Sequence, residues 1–144
     1  MMILRKWENL PENMRLPEVR PYYEVLAKKK AGLFFKRVFD FLFALILLII
    51  LAIPMAVIAI WIKSDSKGPV FYKQERVTTY GKKFRIHKFR TMCDGADKIG
   101  TAVTVGNDSR ITKVGSKLRK VRLDELPQVF DVIKGDMSFV GTRP

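Results

Sequence analysis

The run FLFALILLIILAIPMAVIAIWI, from Phe41 to Ile62, constrains this chain more than any other feature, because its 22 residues carry neither a charge nor a strongly polar side chain. As a straight helix it would reach roughly 33 Å, about one bilayer core. It is too long for the core of a signal peptide, and the forty residues before it lack the usual short basic head, which argues against a cleaved signal. Pro54 lies just past the middle of the run, where its missing N–H and its ring would kink or break a helix. Lys28, Lys29, Lys30, Lys36 and Arg37 precede the run, and Lys63 and Lys67 follow it. Positive flanks favour the cytoplasmic side, and a re-entrant helix broken at Pro54 places both flanks there by entering and leaving through one leaflet. A single-pass anchor with a proline kink is the competing reading, since spanning helices tolerate such prolines.

The rest of the chain is short. Of 144 residues, only about a hundred or fewer remain for one small domain beside the membrane element. We divide it into an N-terminal extension (1–35), a membrane-embedded re-entrant helix (36–63) and a catalytic domain (64–144). The expected class is α+β, mainly helical. Lys and Arg number 27 against 14 acidic residues, a net charge of +13, which calls for an anionic partner: nucleic acid, lipid headgroups or a phosphorylated substrate. The single cysteine, Cys93, excludes an internal disulfide framework.

In the extension, Pro11, Pro17 and Pro21 interrupt an apolar-basic mixture, leaving room for a short amphipathic helix around Tyr22 to Lys30 on a membrane surface. After the membrane run, strand-like stretches at Val70–Tyr72 and Phe84–Phe89, with a turn at Tyr80-Gly81, predict a β-hairpin. Lys82, Lys83, Arg85, Lys88 and Arg90 make it basic, either as a solvated face or as a phosphate-binding surface. His87 has no second His or Cys spaced to share a metal, so it reads as a surface or interface residue. The Gly- and Asp-rich segment CDGADKIGTAVTVGNDSRIT reads as a loop, a linker or a cover for substrate.

Towards the end, GSKLRKVRL predicts a short basic helix. Leu126, Val129, Phe130 and Ile133 form the apolar stripe of a second helix that stops at Gly135. Pro127 fits only a first turn, so that helix is expected to start near Asp124, with Asp124 at or beside its N-cap, Glu125 in its first turn, and both near the positive end of the dipole. An Asp-Glu pair there is ordinary capping chemistry. Residues 110–122, however, hold Arg110, Lys113, Lys117, Arg119, Lys120 and Arg122 without an acid, and Arg143 follows the pair. Carboxylates beside clustered cations also suit a nucleophile and a metal ligand for phosphoryl transfer.

The segments KRVFDF, GPVFYKQERV, GKKFRIHKFRTM, DSRITKVGSKLRKVRLDELPQ and IKGDMSFVGTRP resemble, in order, the motifs of the bacterial sugar transferases, the monotopic polyprenyl-phosphate phosphoglycosyl transferases. The resemblance implies a sugar-1-phosphate transfer from a UDP-sugar to undecaprenyl phosphate, with Mg2+ as cofactor, at the cytoplasmic face of the bacterial cytoplasmic membrane. Such a transfer initiates exopolysaccharide, capsule or glycoconjugate synthesis. It also implies membrane lipids and no nucleic acid as partners, and is compatible with a homo-oligomer. Residue by residue, it makes Asp124 the nucleophile of a covalent aspartyl-phosphosugar intermediate and Asp124 with Glu125 the metal ligands. Lys88, Arg119 and Arg143, with the adjoining Arg90, become phosphate-binding cations, and Pro54 the break in the membrane helix. Thr142 departs from a common proline, and the chain ends where members of the family continue, which suggests C-terminal truncation. Two rivals remain: a membrane-anchored basic module that binds nucleic acid or acidic lipid, and an inactive truncated scaffold.

Overall fold

A computed structural model of the chain describes residues 4–96 and 108–141. Part of the Gly- and Asp-rich loop, together with Thr142, Arg143 and Pro144, lies outside the described residues. Helix α1 (Arg20–Lys28) is separated by the single residue Lys29 from α2 (Lys30–Asp65), a helix of 36 residues. Strands β1 (Phe71–Val77) and β2 (Lys83–Phe89) pair antiparallel, with Phe71 opposite Phe89 and Val77 opposite Lys83. Helix α3 (Lys113–Lys120), a 3₁₀ turn at Leu123–Gln128 and helix α4 (Val129–Lys134) follow. The described residues are therefore mainly helical with one small sheet, and they contain one helix long and apolar enough to cross a membrane.

Pro54 does not interrupt α2, whose helical assignment runs on to Asp65. This differs from the broken hairpin expected from the sequence. Proline removes one backbone donor, here the partner of the Ile50 carbonyl, and good helix formers flank it on both sides. Tertiary contacts hold the helix on either side of that position. One face of α2 carries the buried residues Asp40, Ala44, Met55, Ile58 and Ile62 at helical spacing. Ala44 packs with Val129 and Val132 of α4. Met55, Ile58 and Ile62 pack with Phe89 of β2 and with Val114 and Leu118 of α3. The opposite face stays open and apolar, with Ile49, Ile53 and Ile60 at least 70% exposed.

The polar anchors match the helix dipoles. Near the start of α2, Arg37 donates to the carbonyls of Val132 (2.6 Å) and Ile133 (2.9 Å), placing its charge on the negative end of α4. One turn on, the buried Asp40 accepts from Lys36 (3.0 Å) and Ser138 (2.7 Å). At the far end, Asp65 accepts from the Val114 N–H (2.9 Å) in the first turn of α3, where Thr112 also caps the Gly115 N–H (2.9 Å).

The hairpin turn falls where the sequence placed it. Tyr80 and Gly81 both take positive φ, at 62° and 73°. β1 extends further than expected, to Val77, and Glu75 on it pairs with Lys83 (2.9 Å). The expected start of the last helix near Asp124 is corrected. Residues 123–128 wind as a tighter 3₁₀ turn entered from Arg122 in the left-handed region (φ 60°), and the α-helix proper begins at Val129. It ends as anticipated at Gly135, with φ 88°.

Candidate active site

A cleft of about 560 Å³ opens between the Lys88 end of the hairpin, residues 90–96 and the segment from Arg119 to Glu125. Lys88 enters from β2, paired across the sheet with Tyr72, so the strand fixes its direction. Arg119 enters from the last turn of α3, where its Nε donates to Thr91 Oγ1 at 2.8 Å. That contact depends on Gly115, because a Cβ there would lie 2.0 Å from the Thr91 carbonyl oxygen. Asp124 and Glu125 enter from the 3₁₀ turn. Arg122, immediately before it, is one of two described non-glycine residues at positive φ, a conformation that costs free energy and concentrates at functional sites.

The two carboxylates differ in setting. Asp124 is buried at 9% exposure, and its Oδ1 has no hydrogen-bond partner. Burial pushes its carboxyl above the usual range and the neighbouring Glu125 adds to the push, while Lys88, a backbone N–H and Arg119 pull it back. Asp124 does not take the N-cap position expected from the sequence, which belongs to Arg122, and desolvation rather than a helix dipole is the largest influence on its carboxyl. Glu125 is more exposed, with Lys88 Nζ at 3.4 Å and Arg122 Nη1 at 3.6 Å from its Oε1. A buried carboxylate oxygen without a partner, beside a second carboxylate in an open cleft, is a donor set that suits a hard divalent cation. No group of three or more His, Cys, Asp or Glu side chains converges among the described residues.

Lys88, Arg119, Asp124 and Glu125 thus meet in one cleft. Arg90 borders it, but its guanidinium is engaged elsewhere, donating to the carbonyls of Ser66 and Lys67 (both 2.8 Å) and to Ser66 Oγ (2.7 Å). It caps the end of α2, and Gly68, at φ 116°, gives it room. Arg143 lies outside the described residues. Pro54 lies within α2, among the residues between its two packed stretches. Sequence reasoning missed Thr91, which holds Arg119 from 28 positions away, and Tyr72 in the cleft wall. No local signal marks either one. His87, read as a surface or interface residue, packs at an internal interface: its Nδ1 lies 2.6 Å from Oδ1 of the buried Asp131, whose Oδ2 accepts from the His87 N–H.

The sequence profile of the family described as bacterial sugar transferase matches residues 31–144. A UDP-N-acetylgalactosamine-undecaprenyl-phosphate N-acetylgalactosaminephosphotransferase of Aeromonas hydrophila is 45% identical over 111 residues, covering 77% of this chain and 26% of that protein. A Bacillus subtilis protein, to which an undecaprenyl-phosphate N-acetylgalactosaminyl 1-phosphate transferase activity is provisionally ascribed, is 42% identical over 99% of this chain and 79% of its own length. A UDP-glucose:undecaprenyl-phosphate glucose-1-phosphate transferase of Klebsiella pneumoniae is 45% identical over 76% of this chain and 24% of its own. The chain therefore spans about a quarter of the Aeromonas and Klebsiella proteins and most of the Bacillus one. With its profile matched over the greater part of the sequence, this chain belongs to the bacterial sugar transferase family.

Proposed function

We propose that this chain carries the catalytic centre of an enzyme that transfers a sugar-1-phosphate from a UDP-sugar to undecaprenyl phosphate. The observation that carries the reading is the convergence of a half-desolvated carboxylate, Asp124, with Lys88 and Arg119 in one cleft. A carboxylate oxygen stripped of water is a stronger nucleophile than a hydrated one. A carboxylate oxygen of Asp124 attacks the β-phosphorus of the UDP-sugar, the bond from that phosphorus to the bridging oxygen breaks, and UMP leaves with the bond electrons. An oxygen of undecaprenyl phosphate then attacks the same phosphorus, forming the sugar diphospholipid and returning Asp124 as carboxylate. Lys88 and Arg119 balance the charge that builds on the phosphoryl oxygens, and Glu125 holds Lys88 and Arg122 at the cleft edge. Mg2+, held by Asp124 and Glu125, would supply further charge neutralisation at the transferred group.

The same proposal places α2 in one leaflet of the cytoplasmic membrane, with the cleft on the cytoplasmic side. Its support is the packing of polar elements along most of α2, from Arg37 to Asp65. A helix upright across the bilayer would carry α3, α4 and their charges into hydrocarbon, at several kcal/mol per unsatisfied group. A helix that enters shallowly keeps those elements in water and gives its apolar face to lipid. The bend this requires falls most readily at Pro54, where a ladder bond is already missing.

The test is incubation of the protein with a UDP-sugar and no lipid acceptor, read by intact-protein mass spectrometry. A covalent sugar phosphate on Asp124, absent in Asp124→Asn, is expected, with UMP released. An adduct at another residue, or UDP as the released nucleotide, overturns the mechanism.

A further inference from the structure

We propose that α1 is an interfacial helix that seats on anionic lipid headgroups, with Tyr22, Val25 and Leu26 in the acyl boundary and Lys28, Lys29 and Lys30 on the phosphates. These three apolar side chains are 75%, 55% and 43% exposed and, by helical spacing, share one face. Arg20, Glu24 and Lys28 share the opposite face, where Arg20 and Glu24 form an ion pair at 3.3 Å. The amphipathic axis is therefore complete within nine residues.

Two further observations select the partner. Only Lys29 separates α1 from α2, and the exposed Phe34 and Phe35 come within the first two turns of α2, so α1 is held covalently at headgroup depth wherever α2 enters lipid. The three consecutive lysines at that junction are all exposed, and none has an acidic partner among the described residues. Basic residues at this depth attract an anionic leaflet by roughly fivefold in binding per lysine.

A third edge of α1 is already occupied, which fixes its rotation. Tyr23 stacks edge-on against Trp7 with centroids 5.1 Å apart, and its hydroxyl donates to the Arg5 carbonyl (2.9 Å). The Arg5 N–H in turn donates to the Tyr80 hydroxyl (3.1 Å) at the hairpin turn. The clasp turns Tyr23 towards the hairpin and leaves the Tyr22 face outward. Residues 4–30 precede the stretch matched by the family profile.

The inference rests on the placement of α2 in the bilayer, and the experiment separates the two. The full chain carrying Cys93→Ser is labelled with an NBD fluorophore at Val25→Cys, Glu24→Cys or Ile53→Cys. Each is placed in nanodiscs of phosphatidylcholine, with or without phosphatidylglycerol, and exposed to aqueous dithionite. The Val25 label should be reduced about an order of magnitude more slowly than the Glu24 label in anionic discs. Phosphatidylcholine alone, high salt, or Lys28→Gln, Lys29→Gln and Lys30→Gln together should abolish most of that protection. Equal rates at Val25 and Glu24 with Ile53 protected would overturn the seating of α1 alone. Protection at Val25 that is indifferent to phosphatidylglycerol, salt and the lysines would overturn the anionic partner, and an unprotected Ile53 label would overturn the bilayer placement and the proposal with it.

Discussion

Replacing Gly115 with alanine is expected to destabilise the protein, although alanine is the better helix former. In an open helix the change would stabilise by about 1 kcal/mol. Here the new Cβ would sit 2.0 Å from the Thr91 carbonyl oxygen and 2.6 Å from its carbonyl carbon and Cα, all of them backbone atoms. Ordinary contact begins at 3.4 Å, so α3 must retreat by more than an ångström, or the strand end must yield by as much. Overpacking of this kind costs about 1–3 kcal/mol. The same movement stretches the 2.8 Å bond from Arg119 to Thr91 beyond hydrogen-bonding range, for about 1 kcal/mol more. Set against the propensity gain, the net is a loss of about 2 kcal/mol, or roughly 6 °C in the unfolding midpoint. Gly32→Ala is the matched control, because a Cβ there meets nothing within 4 Å, and it should hold or raise the midpoint. Thermal unfolding of both variants in the same detergent, followed by tryptophan fluorescence, decides the matter. A Gly115→Ala protein that melts at or above the parent would show that α3 does not approach Thr91 this closely.

Asp124→Asn should lose turnover by orders of magnitude yet unfold no more easily than the parent at neutral pH. The folded-state pKa of Asp124 is raised, so ionisation there opposes folding above that pKa and has no effect below the unfolded value near 4. Any stability advantage of the variant should therefore shrink as the pH falls into the carboxylate range, and denaturant titrations across pH would expose a reversed trend. Arg90→Met should cost about 3 kcal/mol through three lost hydrogen bonds at the end of α2, while the folded fraction keeps its affinity for the UDP-sugar. Calorimetric binding that weakens much more than folding does would return Arg90 to the phosphate site.

The parts legible in the sequence rest on local rules. The hairpin turn at Tyr80-Gly81, the stop at Gly135 and the apolar run of α2 each follow from residues adjacent in the chain. That Asp124 and Glu125 share a cleft with Arg119 also follows from nearness in the chain, since the pair stands directly behind a basic run. The proline rule failed at two places. At Pro54 it predicts a break, but packing from α3 and α4 on either side carries α2 through. At Pro127 it predicts a first α-helical turn, whereas the turn tightens to 3₁₀ and carries Asp124 off the cap position into a buried wall. Arg90 shows that charge does not reveal its partner: it borders the cleft while its guanidinium donates to Ser66 and Lys67. A basic strand end looks the same whether its guanidinium faces a phosphate or two backbone carbonyls, and only the return of the chain at Ser66 and Lys67 decides between them.

Helix α2 is tied to α3 and α4 through charge as well as packing. Arg37 sits on the carbonyl end of α4, and Asp65 on the amide end of α3. Between those two helices lies the turn that holds Asp124 and Glu125. A change in the bend of α2 would alter the separation of Arg37 and Asp65, and through them the spacing of α3 and α4. Arg119 moves with α3, and the carboxylates lie on the turn leading into α4. The distance between Arg119 and Asp124 is thus set in part by the shape of α2, whose outer face is open and apolar. Pro54 lies outside the cleft lining, so an effect of replacing it on the cleft would act through the shape of α2 rather than by contact.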